Sequence, residues 1–474
     1  MKNNLGKLQI FSITNEDATK KKRIDVEYYQ PFFEDVVKKV AGSKYELQKL
    51  EDITLLISNG RTPSKDMYDE DNDQAGSVPI IKAGTASGRF VDLEKLEYAK
   101  ADFSSGKKAQ KGDIFVLSAA HQASYVGKNV SLLDIEPEQD TYFVGELICI
   151  RANQEKVLPE YLFGFLSSEV GYLLLNREKR GQTSHIYPED VKTIPLPIPS
   201  LKDQQKIVAI LGKAYEEKKQ KEAEIKMILA KIDSFVLGEL GIEMPEGGAE
   251  RVYSVWSDLL LGGRLDAEYY NPFYDLFYKK LSDGKYQLTM IEDVATDVFQ
   301  GVGKKETENP EFTLLKVKNI KKNNEIDFED TEFVESVPED KVLQNGDILS
   351  PFIGEAVRQC KFSVFENGEK KFAVDNNTGV IRIDNTKANS EYVAYALNSQ
   401  IGNMQLKHLI GGGGVPFLGS ENARKLKIPL PPVAIQKKIV DKIKEQHNKA
   451  RNLRQEAESV IAEAQKQTAE MIFA

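Results

Sequence analysis

The feature that most constrains this chain is that it repeats itself. Arg23-Ile24-Asp25-Val26-Glu27-Tyr28-Tyr29-Gln30-Pro31-Phe32 returns 241 positions later as Arg264-Leu265-Asp266-Ala267-Glu268-Tyr269-Tyr270-Asn271-Pro272-Phe273. Lys44-Tyr45 matches Lys285-Tyr286, and Gly60 matches Gly301, at the same offset. The offset then drifts. Gly112-Asp113-Ile114 pairs with Gly346-Asp347-Ile348, Glu160-Tyr161-Leu162 with Glu391-Tyr392-Val393, and Ile194-Pro195-Leu196-Pro197 with Ile428-Pro429-Leu430-Pro431. Gln204-Gln205-Lys206-Ile207-Val208 pairs with Gln436-Lys437-Lys438-Ile439-Val440. Unbroken order with drifting offset means one scaffold used twice, with loops of changed length. Gly84 to Ala101 and Val302 to Phe312 have no evident twin.

Within each copy, short apolar runs alternate with Gly and Asp turns. Pro79-Ile80-Ile81, Ile114 to Leu117 and Leu147 to Ile150 read as strands, as do Ile348-Leu349 and Val380-Ile381. Tyr161 to Leu175 and Tyr392 to Leu406 read as helices. The expected fold class is α/β, with two globular domains each followed by a long helix.

After Pro199 no proline occurs until Pro245, and none follows Pro432. In these spans Ile207, Leu211, Ala214, Lys218, Lys221, Ile225, Ile228, Ile232 and Phe235 fall at heptad spacing. Ile439, Ile443, Gln446, Ala450, Leu453, Ala457, Val460, Ala464, Gln467 and Met471 do the same. A helix of roughly 35–40 residues is about 55–60 Å long. Its narrow seam asks for a partner, and an antiparallel coiled coil of the two helices is the simplest pairing. The prolines before each helix imply a stiff, extended leader that cannot continue a strand ladder. The expected divisions are 1–200, 201–262, 263–432 and 433–474.

The net charge of −9 taken alone argues against nucleic acid, but DNA responds to local field rather than to the sum. Acids cluster at Asp66 to Asp73 and at Glu325 to Asp330, and lysines at Lys316, Lys318, Lys321 and Lys322. Two cysteines, Cys149 and Cys360, lie in strand-like surroundings and read as buried thiols. No apolar run reaches the ~18–20 residues of a membrane span, and the N-terminus lacks a signal-peptide core, so a cytoplasmic protein is expected.

Taken together, the Arg-Ile/Leu-Asp-x-Glu-Tyr-Tyr-x-Pro opening, the Gly-Asp-Ile segment and the Ile-Pro-Leu-Pro leader with its long helix, all occurring twice, resemble the specificity subunit of type I restriction-modification systems. The resemblance runs from about Arg23 to the C-terminus. It implies two target-recognition domains that each read one half of a split DNA sequence. It also implies helices that set the gap between half-sites and dock DNA adenine methyltransferase subunits, with a restriction/translocase subunit able to join. The double-stranded DNA would then be met by the two heads in adjacent major grooves. The chain itself would be non-catalytic, with no cofactor and no metal.

Base readout needs polar side chains on loops. The first copy offers Asn59, Arg61, Thr62 and Ser64, then Lys82, Arg89, His121 and Gln122, and finally Arg180, Gln182, Thr183, Ser184 and His185. The last group carries the greatest weight, because the family commonly has a polar loop there. The second copy offers Gln300, Lys304 and Lys305, then Lys316, Lys318 and Asn319, then Arg358, Gln359, Asn376 and Asn377. Gly411 to Gly414, with Gly412 and Gly413 at its centre, either lets backbone N–H groups approach a phosphate or is a flexible loop.

Enzymatic readings are weaker. Asn271-Pro272-Phe273-Tyr274 resembles an adenine-methyltransferase motif, but its twin is Gln30-Pro31-Phe32-Phe33 and no Gly-rich cofactor loop precedes it. Gly301-Val302-Gly303-Lys304 lacks P-loop spacing. The four histidines are scattered without cysteine partners. Glu339-Asp340-Lys341 reads as a solvated turn. The competing class is a coiled-coil scaffold that binds protein rather than DNA, and divergent loops on a retained scaffold favour DNA.

Overall fold

The computed structural model describes residues 11–21, 23–68, 76–100, 103, 107–120, 123–181, 184–247, 252–256, 264, 266–303, 311–322, 324–367, 371–410 and 414–473. It divides into two compact units, Met1–Gln220 with Glu456–Ala474, and Lys221–Gln455. Each contains one α/β domain and parts of both long helices.

In the first unit a four-stranded antiparallel sheet runs Thr54–Asn59, Leu147–Ala152, Asp113–Leu117, Val130–Leu132. A three-stranded sheet runs Glu97–Lys100, Ser77–Ile81, Tyr142–Phe143. The second unit repeats both orders. Ala295–Gln300, Thr378–Ile383, Ile348–Pro351 and Ser363–Val364 form one sheet, and Glu332–Val334, Phe312–Leu315 and Phe372–Val374 the other. Within the stretch that has no evident sequence twin, the strand Glu97–Lys100 therefore has a structural counterpart in Glu332–Val334. Strand pairing kept the sheet while the residues between its strands changed beyond recognition.

Each motif that recurs in the sequence turns out to hold the scaffold together. Gly112 and Gly346 have φ of +90° and +94°, a region that a side chain rarely tolerates. The aspartate that follows is buried. Asp113 takes two hydrogen bonds from Arg151 at 2.7 and 2.8 Å, and Asp347 takes two from Arg382 at 2.8 and 2.9 Å. Tyr161 and Tyr392 donate to the carbonyls of Pro197 and Pro429. Gln204, fully buried, accepts from Leu158 N and donates to the carbonyls of Lys156 and Pro199. Gln436 accepts from Asn389 N and donates to Pro431 O. These groups fasten the start of each long helix to its domain.

The proline leaders are strands, contrary to the expectation that proline bars a ladder. Pro195–Pro197 pairs antiparallel with Leu47–Lys49, and Lys427–Pro429 pairs with Leu288–Met290. Leu50 N donates to Ile194 O and Ile198 N to Glu46 O. Antiparallel bonding alternates, so Pro195 and Pro197 fall on positions whose N–H would face away from the partner. In the second copy Lys427 stands where Pro195 does and Pro429 where Pro197 does, so the outward positions of this strand tolerate proline without requiring it, and the leaders align two residues away from their sequence match.

The helices anticipated at Tyr161 to Leu175 and Tyr392 to Leu406 are each two. Pro159–Leu166 ends before Ser168, whose side chain accepts from Gly171 N and starts Glu169–Arg177. Ser390–Asn398 and Gln400–Leu409 meet at Ser399 in the same way. A serine cap outweighs the continuous apolar spacing.

The long helices are Leu201–Leu240 and Val433–Phe473. In the second unit Glu224 pairs with Lys449 and Glu239 with Lys438, so one number falls as the other rises and the helices run antiparallel. Ile225, Ile228 and Ala450 pack between them. The seam residues also serve the domains. Ile207, Leu211 and Ala214 join Ala464 and Ile472 in the first domain's core, and Ile439 and Ile443 join Val236 and Leu240 in the second's. Near the C-terminus the seam slips by one residue. Gln467 is exposed, and Thr468 is buried with its hydroxyl donating to Ala464 O. Cys149 and Cys360 are buried free thiols, and burial pushes both pKa values up, that of Cys360 to about 12.

Candidate nucleic-acid interface

Four loops of each unit meet at one end of its four-stranded sheet. In the first unit these are the loop after Thr54–Asn59, the loop after Asp113–Leu117, the turn before Leu147–Ala152 and the hairpin Arg180 to His185. Asn59 links three of them, because its amide nitrogen donates to Gly145 O at 2.7 Å and to Ser118 Oγ at 3.2 Å. Thr62 Oγ1 donates to the Glu146 carboxylate and accepts from Gly145 N. Ile186 N donates to Ser118 O and brings in the hairpin. Gly60 permits the close approach, since a Cβ there would stand 1.8 Å from Phe143 O.

The second unit builds the same junction from different residues. The Gln300 amide donates to Asn376 O. Gly301 N donates to Thr378 O, and a Cβ on Gly301 would stand 2.2 Å from Val374 O. Phe352 N donates to Asn377 O, Leu418 N to Phe352 O and Gly354 N to Pro416 O.

The anticipated residues divide into two sets. Asn59, Arg61, Thr62, Ser64, Arg180, Ser184 and His185 lie on the loop cluster of the first unit, and Gln300 and Arg358 on that of the second. Arg61 and Ser64 are exposed, and Arg61 stands over the Phe103 ring at 5.6 Å. The hairpin is tight: Arg180 and His185 exchange backbone bonds of 2.7 and 2.8 Å, and Ser184 has φ of +50°. The Arg180 guanidinium pairs with Asp190, while His185 stacks on Tyr187. Arg358 is paired with Glu355 at 3.4 Å.

Others lie elsewhere. Lys82, after Ser77–Ile81 on the three-stranded sheet, bonds Glu97 at 2.8 Å and stands over Tyr68. Arg89 stacks on Tyr215 of the first long helix at 3.3 Å and on Phe163 at 4.8 Å, with its Nε buried and without a hydrogen-bond partner. Burial holds its pKa below the usual value. The lysine cluster and the acid cluster of the second copy, far apart in sequence character, meet in space. Lys316 pairs with Glu332, Lys318 with Asp330 and Lys321 with Asp327. Asn319 is buried and ties the Asp327 and Glu329 carbonyls. Gln182, Thr183, Lys304, Lys305, Gly412 and Gly413, with His121 and Gln122, lie outside the described residues.

Sequence reasoning missed the exposed apolar residues of these loops. Tyr125, Tyr187, Val415 and Phe417 are all about half exposed or more. A search restricted to hydrogen-bonding side chains passes over them.

The sequence profile of the type I restriction modification DNA specificity domain matches residues 42–227 and 303–460. The chain is 27% identical over 173 residues to a protein of Methanocaldococcus jannaschii named as the type I restriction enzyme MjaX specificity subunit; the match covers 35% of this chain and 39% of that protein. A solved structure described as the basis of complex assembly and conformational transition of the type I R-M system superposes with a TM-score of 0.51 at 14% identity, over 90% of this chain and 96% of that one. The S subunit of a type I system from M. genitalium superposes with a TM-score of 0.41 at 13% identity, over 91% and 96%. With the matched profile covering most of both copies, the chain belongs to the type I restriction-modification DNA specificity family.

Proposed function

We propose that this chain reads a split DNA sequence, each unit contacting one half through the four loops at the end of its four-stranded sheet, and that it does no chemistry itself. One observation carries the reading: the same four loops converge in both copies on a retained scaffold, while the side chains they present differ. Two related surfaces with unlike residues suit two related but unlike half-sites. Arg61, Ser64 and Ser184 in the first unit, and Arg358 in the second, are the polar groups best offered to DNA, with Tyr125 and Phe417 for stacking or thymine-methyl contact. The long helices serve as the docking surface for methyltransferase subunits and, where one exists, a restriction subunit. The acidic chain would share DNA binding with those partners.

The test is genome-wide mapping of modified adenines with and without this chain, together with the methyltransferase that copurifies with it. A split motif that vanishes on deletion, and of which replacing residues 44–200 changes one half, is expected. Methylation that is unchanged by deletion would remove the reading.

A further inference from the structure

A cavity of about 380 Å³ lies inside the first unit, between the helix Pro159–Leu166, the first long helix and the end of the second. Its walls include Phe165, Leu211, Tyr215 and Ile472, and its small lining residues are Gly164, Ala462 and Ala469. The internal repeat says what is missing. Tyr161 and Tyr392 are equivalent, since both donate to the leader carbonyl, so Gly164 is the equivalent of Tyr395 one helical turn on. Tyr395 is 7% exposed, with its ring 5.9 Å from His447, the equivalent of Tyr215. Where the second unit has a tyrosine ring, the first has a bare backbone. The crossing helix widens the difference at one position: Ala469 lines the cavity where its twin, Leu237, packs in the second unit's core.

We propose that this cavity is a binding site for a small planar aromatic molecule of phenol to indole size. The volume falls in the range of about 300–1,000 Å³ typical of small-molecule pockets, and aromatic and aliphatic walls with a few polar groups are the usual lining. The twin supplies the chemistry: at the equivalent helix position this scaffold buries a phenol ring, that of Tyr395, beside His447. Tyr215, held by the Arg89 guanidinium stacked on its ring at 3.3 Å, forms a wall suited to ring-to-ring contact. Lys39 and Lys466 line the cavity as well and suit an anionic or hydrogen-bonding substituent on the ring. Occupancy would bridge the domain and both long helices within the unit and stiffen their joint. The site is separate from the loop cluster, so it stands or falls independently of DNA reading.

The test uses the full-length chain and indole, with phenol as a second probe, followed by saturation-transfer NMR and titration calorimetry. Saturable binding of one indole per chain is expected. Gly164→Tyr, which restores the twin's residue and whose Cβ would meet only the movable Leu211 Cδ1 methyl, at 3.0 Å, should weaken binding at least tenfold. Ala469→Phe fills the cavity from the opposite wall and should do the same, and it carries the test should Gly164→Tyr fail to fold. Absence of saturable binding to the wild type, or unchanged binding by a folded filled variant, overturns the proposal.

Discussion

The two units clamp their opening segments with different chemistry at the same place. In the first, Arg177 stands over Tyr28 at 4.1 Å and its Nε donates to Tyr28 O. In the second, His408 stacks between Tyr269 at 4.6 Å and Tyr274 at 4.5 Å, with Nε2 3.0 Å from Tyr269 O and Nδ1 3.2 Å from Tyr278 Oη. Both reach the same carbonyl of the same Tyr-Tyr pair. An arginine keeps its charge at any physiological pH, whereas a histidine does not. The scaffold prescribes a donor above an aromatic ring and leaves the kind of donor open. Geometry is shared between the copies, and sensitivity to conditions is not.

That comparison can be broken at shared parts first. Asp113→Ala and Asp347→Ala each strand an arginine whose side chain is only 21% or 17% exposed. Loss of one partner of an enclosed pair costs about 3–5 kcal/mol, and the lower end applies because the guanidinium keeps some solvent. Urea unfolding of the full chain should show equal losses for the two; a twofold inequality would mean that the copies do not use the pair alike. Gly60→Ala and Gly301→Ala come next, near the top of the ~1–3 kcal/mol range for overpacking. Gly60 is expected to suffer more because its Cβ would meet backbone at 1.8 rather than 2.2 Å. Hydrogen exchange at the loop junctions would read that order.

Gln204→Ala and Gln436→Ala should each cost about 1–3 kcal/mol by leaving buried backbone groups unpaired. Gln204 makes three such bonds and Gln436 two, so the first should cost more. Equal thermal shifts would contradict the bond inventory.

The smallest effect sharpens the difference between the clamps. Burial lowers the His408 pKa below its ordinary 6.5. The unfolded chain therefore takes up the proton first as pH falls. The stability contributed by neutral His408 is full above about pH 6.5 and is lost between there and the folded pKa. Thermal melts of the wild type and His408→Arg between pH 7.5 and 5 should diverge, with the variant flatter. His447, also lowered by burial, is present in both and cancels. Parallel profiles would show that the clamp does not sense pH.

Much of the fold was legible in residues alone, and the failures have local causes. The duplication predicted matched sheets, and strand runs such as Ile114 to Leu117 stood out because both faces are buried. The break at Ser167-Ser168 was hidden because apolar spacing continued through it. The three-stranded sheet of the second unit escaped notice because strand pairing is a backbone property that tolerates change of side chains. Of the candidate site, the loops could be named from polar, Gly-rich composition. Which side chains face outward could not, because Asn59, Asn319 and Arg89 differ from surface residues only in what packs beside them.

The sequence by itself determined that there are two copies, that each is α/β, where the long helices begin and which motifs the copies share. These are properties of order and periodicity, carried by local spacing. Tertiary structure alone decided that Gln204 and Gln436 join domain to helix, that the Lys316 cluster is matched by acids, and that Gly164 lines a cavity where the second copy carries Tyr395. Those outcomes depend on which residues distant in the chain become neighbours, and pairwise contact leaves no trace in a single sequence.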